Sequence, residues 1–139
     1  MKKEFLSYDL ALKLKDLGFD EPCFAFYGLS RDNYKTIRLS IFQNLKTDYL
    51  PDIHHLDVTC DAPLWQQTFD WFREKYNFNS WISGRKSMGY GYTINNVPNK
   101  FKNNILDTLE SPHIYESYEK ARQACLEKLI ELAKEQNVK

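Results

Sequence analysis

The segment from Phe78 to Ile94 combines cationic and aromatic side chains around a short turn. Its five candidate ligand-binding residues are Trp81, Arg85, Lys86, Tyr90 and Tyr92. Aromatic rings stack on nucleobases and cations pair with phosphates, so the mixture predicts a site for a nucleotide or a single nucleic-acid strand. The alternative is structural: the two tyrosines face the helices as core residues while the two cations keep the turn solvated. We favour the structural alternative for this segment, and the ligand site remains the second hypothesis for it.

Residues 52–60 contain residue types that bind transition metals, in the order D-x-H-H-x-D-x-x-C. Zinc sites usually draw on pairs spaced to wrap one ion, such as C-x₂-C or H-x₃-H. His54 and His55 are adjacent, so their side chains point apart on most backbones. The spacing favours a polar loop. A small metal-dependent enzyme centred on His54 and His55 is the alternative.

Other catalytic signatures are absent from the sequence. The three cysteines, Cys23, Cys60 and Cys125, are odd in number and widely spaced, which predicts reduced buried thiols rather than a disulfide framework. The glycines of the stretch 84–89 do not form the G-x-x-x-x-G-K-[ST] loop that cradles phosphates. We therefore predict no cofactor, and binding without catalysis is favoured over an enzyme.

Helical periodicity predicts three main helices, at about 8–17, 63–76 and 118–135. In the first, Leu10, Leu14 and Leu17 share one face, and Gly18 is suited to end the helix. The second presents a broad aromatic stripe, which is more typical of a core than of a cofactor site. The predicted N-cap residues of the three helices are Ser7, Asp61 and Ser117.

Four short segments predict strands, at 23–27, 36–42, 78–83 and 88–94. The last places Gly89, Gly91 and Thr93 on one face, which leaves room for a close approach to the backbone. Residues 43–60 are predicted as an irregular connection and 95–113 as a long loop, with one helical turn near 104–109. The order α-β-β-loop-α-β-β-loop-α predicts an α+β fold in a single domain, 1–139, with the helices packed on a small, mostly antiparallel sheet.

Three segments resemble a family of short proteins found in Bacteroidetes genomes and in their phages and prophages. They are KLKDLGFDEPCF, APLWQQTFDWFREKY and SYEKARQACLEKLIELAK, at 13–24, 62–76 and 117–134. The family has no assigned activity, so the resemblance brings no catalytic residue with it. It implies a shared fold and the setting of a phage-associated accessory protein.

Composition excludes a broad electrostatic role. The 139-residue chain has nineteen basic and nineteen acidic residues, so no net charge attracts nucleic acid or an anionic membrane. No apolar run is long enough for a signal peptide or a membrane span, which predicts a cytoplasmic location. Our leading hypothesis is a small phage-associated binding module, acting without catalysis on a protein, a nucleotide or a single-stranded nucleic acid.

Overall fold

The computed structural model describes residues 2–30, 37–41, 56–85, 87–98 and 106–138. The helices are α1 (Tyr8–Asp16), α2 (Trp65–Tyr76) and α3 (Tyr118–Asn137), after a 3-10 turn at Lys2–Glu4. The strands are β1 (Ala25–Ser30), β2 (Ile37–Ile41), β3 (Leu56–Asp61), β4 (Asn79–Arg85), β5 (Gly89–Pro98) and β6 (Leu106–Glu110). Together they confirm the predicted α+β class and the three main helices.

The chain divides into two compact units, Met1–Thr68 and Phe69–Lys139, with the boundary inside α2. Each unit contains one three-stranded antiparallel sheet, so two small sheets replace the one that the sequence predicted. The sequence predicts that the whole chain folds as a single domain. Two compact units can still fold cooperatively, so this stays a prediction. Within the described ranges, no helix is both long enough and apolar enough to cross a membrane.

Helix α1 ends as its sequence predicts. Gly18 has a φ of 93°, a conformation that glycine adopts without the steric cost of a Cβ. Its N–H donates to the Lys15 carbonyl at 3.0 Å, and the N–H of Phe19 donates to the Leu14 carbonyl at 3.0 Å. These two bonds form the Schellman motif and satisfy carbonyls that the helix end would leave without partners. Leu10 and Leu14 are buried, which confirms the apolar face.

The first sheet has the strand order β2-β1-β3. Its third strand corrects the prediction of an irregular connection, because residues 56–61 pair antiparallel with β1 and bring Tyr27 opposite Cys60. The sequence LDVTCD alternates apolar and polar residues, which is the pattern of a strand with one buried face. Asp61 ends this strand, so its predicted role as the N-cap of α2 is wrong. Helix α2 begins instead at Trp65, and the Leu64 N–H donates to Gln67 Oε1 at 3.4 Å.

The aromatic stripe of α2 within the second unit is core, as predicted. Phe72 is fully buried and Trp71 nearly so. Their ring centroids lie 5.0 Å apart in an edge-to-face arrangement, and Tyr76 stacks on Phe78 at 5.8 Å. Such pairs add stabilisation beyond the area they bury. Asn77, with a φ of 60°, ends the helix.

The second sheet has the strand order β4-β5-β6. Strand β6 corrects the predicted helical turn near 104–109, since residues 106–110 are extended and pair with β5. Strand β5 also runs on to Pro98 instead of ending at Ile94. The register shifts between Ile94 and Val97, where Asn96 has a φ of 65°. This irregularity breaks the alternation of apolar residues, so the extension was not visible from periodicity.

Helix α3 packs on β4 and β5. Ser117 Oγ accepts a hydrogen bond from the Lys120 N–H at 3.2 Å, which confirms the predicted N-cap. Its buried residues recur at helical spacing and form one apolar face: Ala121, Cys125, Leu126, Leu129, Ile130, Leu132 and Ala133.

Candidate binding face

The register of the β4–β5 hairpin divides the predicted ligand-binding residues between two faces. Trp81 pairs with Thr93, whereas Ile82 pairs with Tyr92 and Gly84 with Tyr90. Directly opposite residues share a face of an antiparallel pair, and neighbours along a strand alternate. We call the face that carries Tyr90 and Tyr92 the inner face and the face that carries Trp81 the open face. The hairpin therefore does not bring the five candidates together.

On the inner face, both tyrosines pack within the second unit. Tyr92 is 5% exposed and stacks on Tyr115 with 6.4 Å between ring centroids. The Tyr90 ring meets Tyr118 of α3 edge-on at 6.3 Å. These contacts match the structural alternative for Tyr90 and Tyr92, and they turn both rings away from Trp81.

Burial makes two of the thiols poor nucleophiles. Burial raises the pKa of Cys125 to about 12, against a smaller lowering by a hydrogen bond with Ser80. For Cys23, burial and then the charge of Asp61 raise the pKa to about 12. Because the thiolate is the reactive form, both side chains remain protonated and unreactive at neutral pH.

The inner face predicts a loss of stability in alkaline solution. Burial first, and then Tyr115, raise the pKa of Tyr92 from 10.0 to about 12. The unfolded chain therefore releases this proton before the folded chain does, so the stabilisation is complete below pH 10 and is lost as the pH approaches about 12. In chemical denaturation across this window, Tyr92→Phe should lose less stability than the wild type. Tyr118→Phe, which removes the hydroxyl of a residue that is 45% exposed, is the control; equal pH dependence of all three proteins would contradict the prediction.

The open face is polar around one exposed ring. Trp81 is 48% exposed, and it stands across from Thr93. Asn95 Oδ1 accepts a hydrogen bond from Thr108 Oγ1 at 2.9 Å. The other positions on this face, from the register, are Asn79, Ser83, Arg85, Gly89, Gly91 and Glu110. The result is a stacking surface bordered by amides and hydroxyls.

The room predicted beside the glycines is taken up by a segment of the chain itself. A Cβ on Gly89 would lie 2.2 Å from the Ile114 side chain, and one on Gly91 would lie 2.9 Å from Ser111 Oγ. Gly89 also has a φ of 92°, which favours glycine. The segment 111–115 is held along β5, because the N–H of Tyr90 donates to the Tyr115 carbonyl at 2.8 Å and the reverse bond measures 2.7 Å.

Two shallow clefts remain beside this segment. One, of about 320 Å³, lies between β5 and residues 110–114, with Ser83 and Thr93 in its wall. The other, of about 530 Å³, lies at the turn, where Met88 and Ile114 are exposed. Both clefts border the open face. The cleft beside residues 110–114 is lined mainly by polar groups, and the cleft at the turn is lined mainly by apolar groups.

In sequence, the charged residues of the hairpin and its flanking segments are all basic. Between Glu74 and Asp107 the sequence has no acidic residue. It has five basic ones there: Lys75, Arg85, Lys86, Lys100 and Lys102. Arg85 ends β4 opposite Gly89, whereas Lys86 lies outside the described residues. The total charge of the chain is balanced, so it does not reveal this acid-free run. The run itself is a signal in the sequence for the candidate site.

The metal hypothesis receives no geometric support from the part of the chain that is described. Among those residues, no three His, Cys, Asp or Glu side chains are grouped to hold an ion. His54 and His55 lie outside the described residues, so their arrangement stays a prediction.

Comparison with known proteins adds no assignment, because no family model, no curated protein and no solved structure matches the chain.

Proposed function

We propose that this protein is a non-catalytic binding module that covers a partner with the open face of its second sheet. The observation that carries the proposal is the 48% exposure of Trp81 on that face, in the edge strand β4. By contrast, Trp65 and Trp71 are 9% and 4% exposed. A large aromatic ring left in solvent within a polar rim is the anchor type that binding surfaces favour.

The chemistry of the face also supports binding over catalysis. Its polar positions carry amides, hydroxyls, one carboxylate and, at Arg85, one guanidinium, all of which orient a partner through hydrogen bonds. Cys125 and Cys23 are protonated thiols at neutral pH, and so provide no activated nucleophile. The resemblance of three segments to short Bacteroidetes and phage proteins supports an accessory role in that setting.

The proposal predicts that ligand binding depends on Trp81. The test measures binding of single-stranded oligonucleotides, oligosaccharides and extended peptides, together with the protection of tryptophan fluorescence from acrylamide quenching. Because the other two tryptophans are buried, quenching reports mainly on Trp81. We expect one ligand class to protect Trp81 and to lose affinity in Trp81→Ala, with little change in melting temperature because the ring is half exposed.

Tyr118→Ala is the matched control, since Tyr118 is 45% exposed and belongs to α3 on the other side of the sheet. A ligand that loses affinity in Trp81→Ala and keeps it in Tyr118→Ala supports the proposal. Binding of no class, or binding that is the same in both variants, would overturn it.

A further inference from the structure

We infer that the partner of the open face is a single-stranded nucleic acid, with one base stacked on Trp81 and the phosphates running past the Arg85 end of β4. The inference rests on the proposed function and names its ligand class. It differs from the sequence hypothesis in its residues, because Tyr90 and Tyr92 belong to the inner face. Asn79, Thr93 and Asn95 take their place.

The open face gives a ligand access to a stacking surface. Trp81 lies on the edge strand β4 with its ring 48% exposed, across from Thr93 on the neighbouring strand. A base in a duplex has both faces covered by its neighbours, so a ring on a flat sheet cannot stack on it. Bases of a single strand present their faces, and stacking on aromatic side chains is the main contact of such complexes.

The open face also carries an amide two positions from the Trp81 ring. Asn95 pairs directly with Asn79, two positions along from the Trp81–Thr93 pair. Asn95 Oδ1 accepts from Thr108 Oγ1 at 2.9 Å, and the Nδ2 of the same amide is a hydrogen-bond donor. Base edges offer carbonyl oxygens and ring nitrogens as acceptors for such a group.

The basic and acidic positions of the open face lie at different places on it. The only basic position that the described register gives this face is Arg85, at the turn end of β4, and the segment around it is free of acids from 75 to 106. Glu110 occupies the opposite side of the face, on β6 across from Thr93. A phosphate chain is attracted by arginine at the position of Arg85 and repelled by Glu110. The nucleic-acid strand should therefore run along β4 and away from β6.

The experiment measures fluorescence anisotropy of a labelled oligothymidylate of about ten nucleotides, over a series of salt concentrations. We expect Trp81→Ala to weaken binding by about five- to 150-fold with an unchanged salt slope. Arg85→Ala should reduce the salt slope by about one, as the loss of a single phosphate contact does. Glu110→Gln should strengthen binding by about twofold at low salt, because it removes the repulsion and keeps the shape of the side chain.

An abasic oligonucleotide of the same length keeps the phosphates and removes the rings, so it should bind as weakly to the wild type as the oligothymidylate binds to Trp81→Ala. A duplex of the same length should not compete. Abasic and intact strands bound equally well would reduce the contact to charge alone and overturn the inference. If oligosaccharides or peptides bind through Trp81 while oligonucleotides do not, the inference fails and the proposed function stands.

Discussion

Replacing Phe72 with alanine should lower the free energy of unfolding by about 3–5 kcal/mol, because a large cavity opens in a closed aromatic cluster. Phe72 is fully buried, and its ring centroid lies 5.0 Å from that of Trp71 and 5.8 Å from that of Tyr76. The neighbouring rings belong to one helix and its flanking residues, so they cannot all shift to fill the space. Urea denaturation followed by far-UV circular dichroism measures the change.

The control is Glu74→Ala, two residues along the same helix and exposed, which should change the free energy of unfolding by less than about 0.5 kcal/mol. The pair separates the loss of packing from any effect of alanine on helix propensity. A loss of less than about 1 kcal/mol for Phe72→Ala would mean that the aromatic stripe is not closed in solution.

The helices were predictable because each carries its own signal. Leu10 and Leu14 repeat at helical spacing, and Gly18 supplies the C-terminal conformation that few other residues adopt. Ser117 caps α3 through a contact only three residues long. Such local rules hold whatever the rest of the fold does, since their energy comes from neighbours in sequence.

The missed strands show where local rules end. Residues 106–110 carry no clear period, and they are extended because β5 offers them hydrogen-bond partners. Residues 56–61 do alternate, but the stretch 43–60 as a whole has no clean period and contains Pro51, which favoured an irregular connection. Strands are stabilised by partners distant in sequence, so a weak segment can be extended without a strong signal of its own.

The composition of the candidate site depended on a register that the sequence leaves undetermined. With strand ends at Ser83 and Met88, as predicted, Trp81 would pair with Tyr90 and share a face with both tyrosines. The observed pairing of Arg85 with Gly89 shortens the turn and places Trp81 opposite Thr93 instead. This is a shift by an odd number of residues, and such a shift moves every side chain of one strand to the other face relative to its partner.

The amides of the open face were missed for a related reason. Asparagine is common in turns, so Asn95 and its neighbour Asn96 indicated a loop. Strand β5 passes through both, and the hydrogen bond from Thr108 holds the Asn95 amide on the sheet face. Only the third strand, β6, gives Asn95 this partner. The candidate site is therefore a product of sheet assembly, while Trp81 and Arg85 were recognisable from residue type alone.

Leu14→Ala tests whether the two compact units fold as the single domain that the sequence predicts. Leu14 is fully buried in the unit Met1–Thr68, so its truncation should cost about 2–5 kcal/mol. In one cooperative domain, a loss in either unit lowers the stability of the whole chain. Hydrogen exchange measured on peptides should then show faster exchange of the α3 amides in Leu14→Ala as well as of the α1 amides.

The control is Lys13→Ala, a change at an exposed position of the same helix, which should leave the exchange of both helices unchanged. Faster exchange confined to the first unit, with α3 protected as in the wild type, would establish two independently folding domains instead.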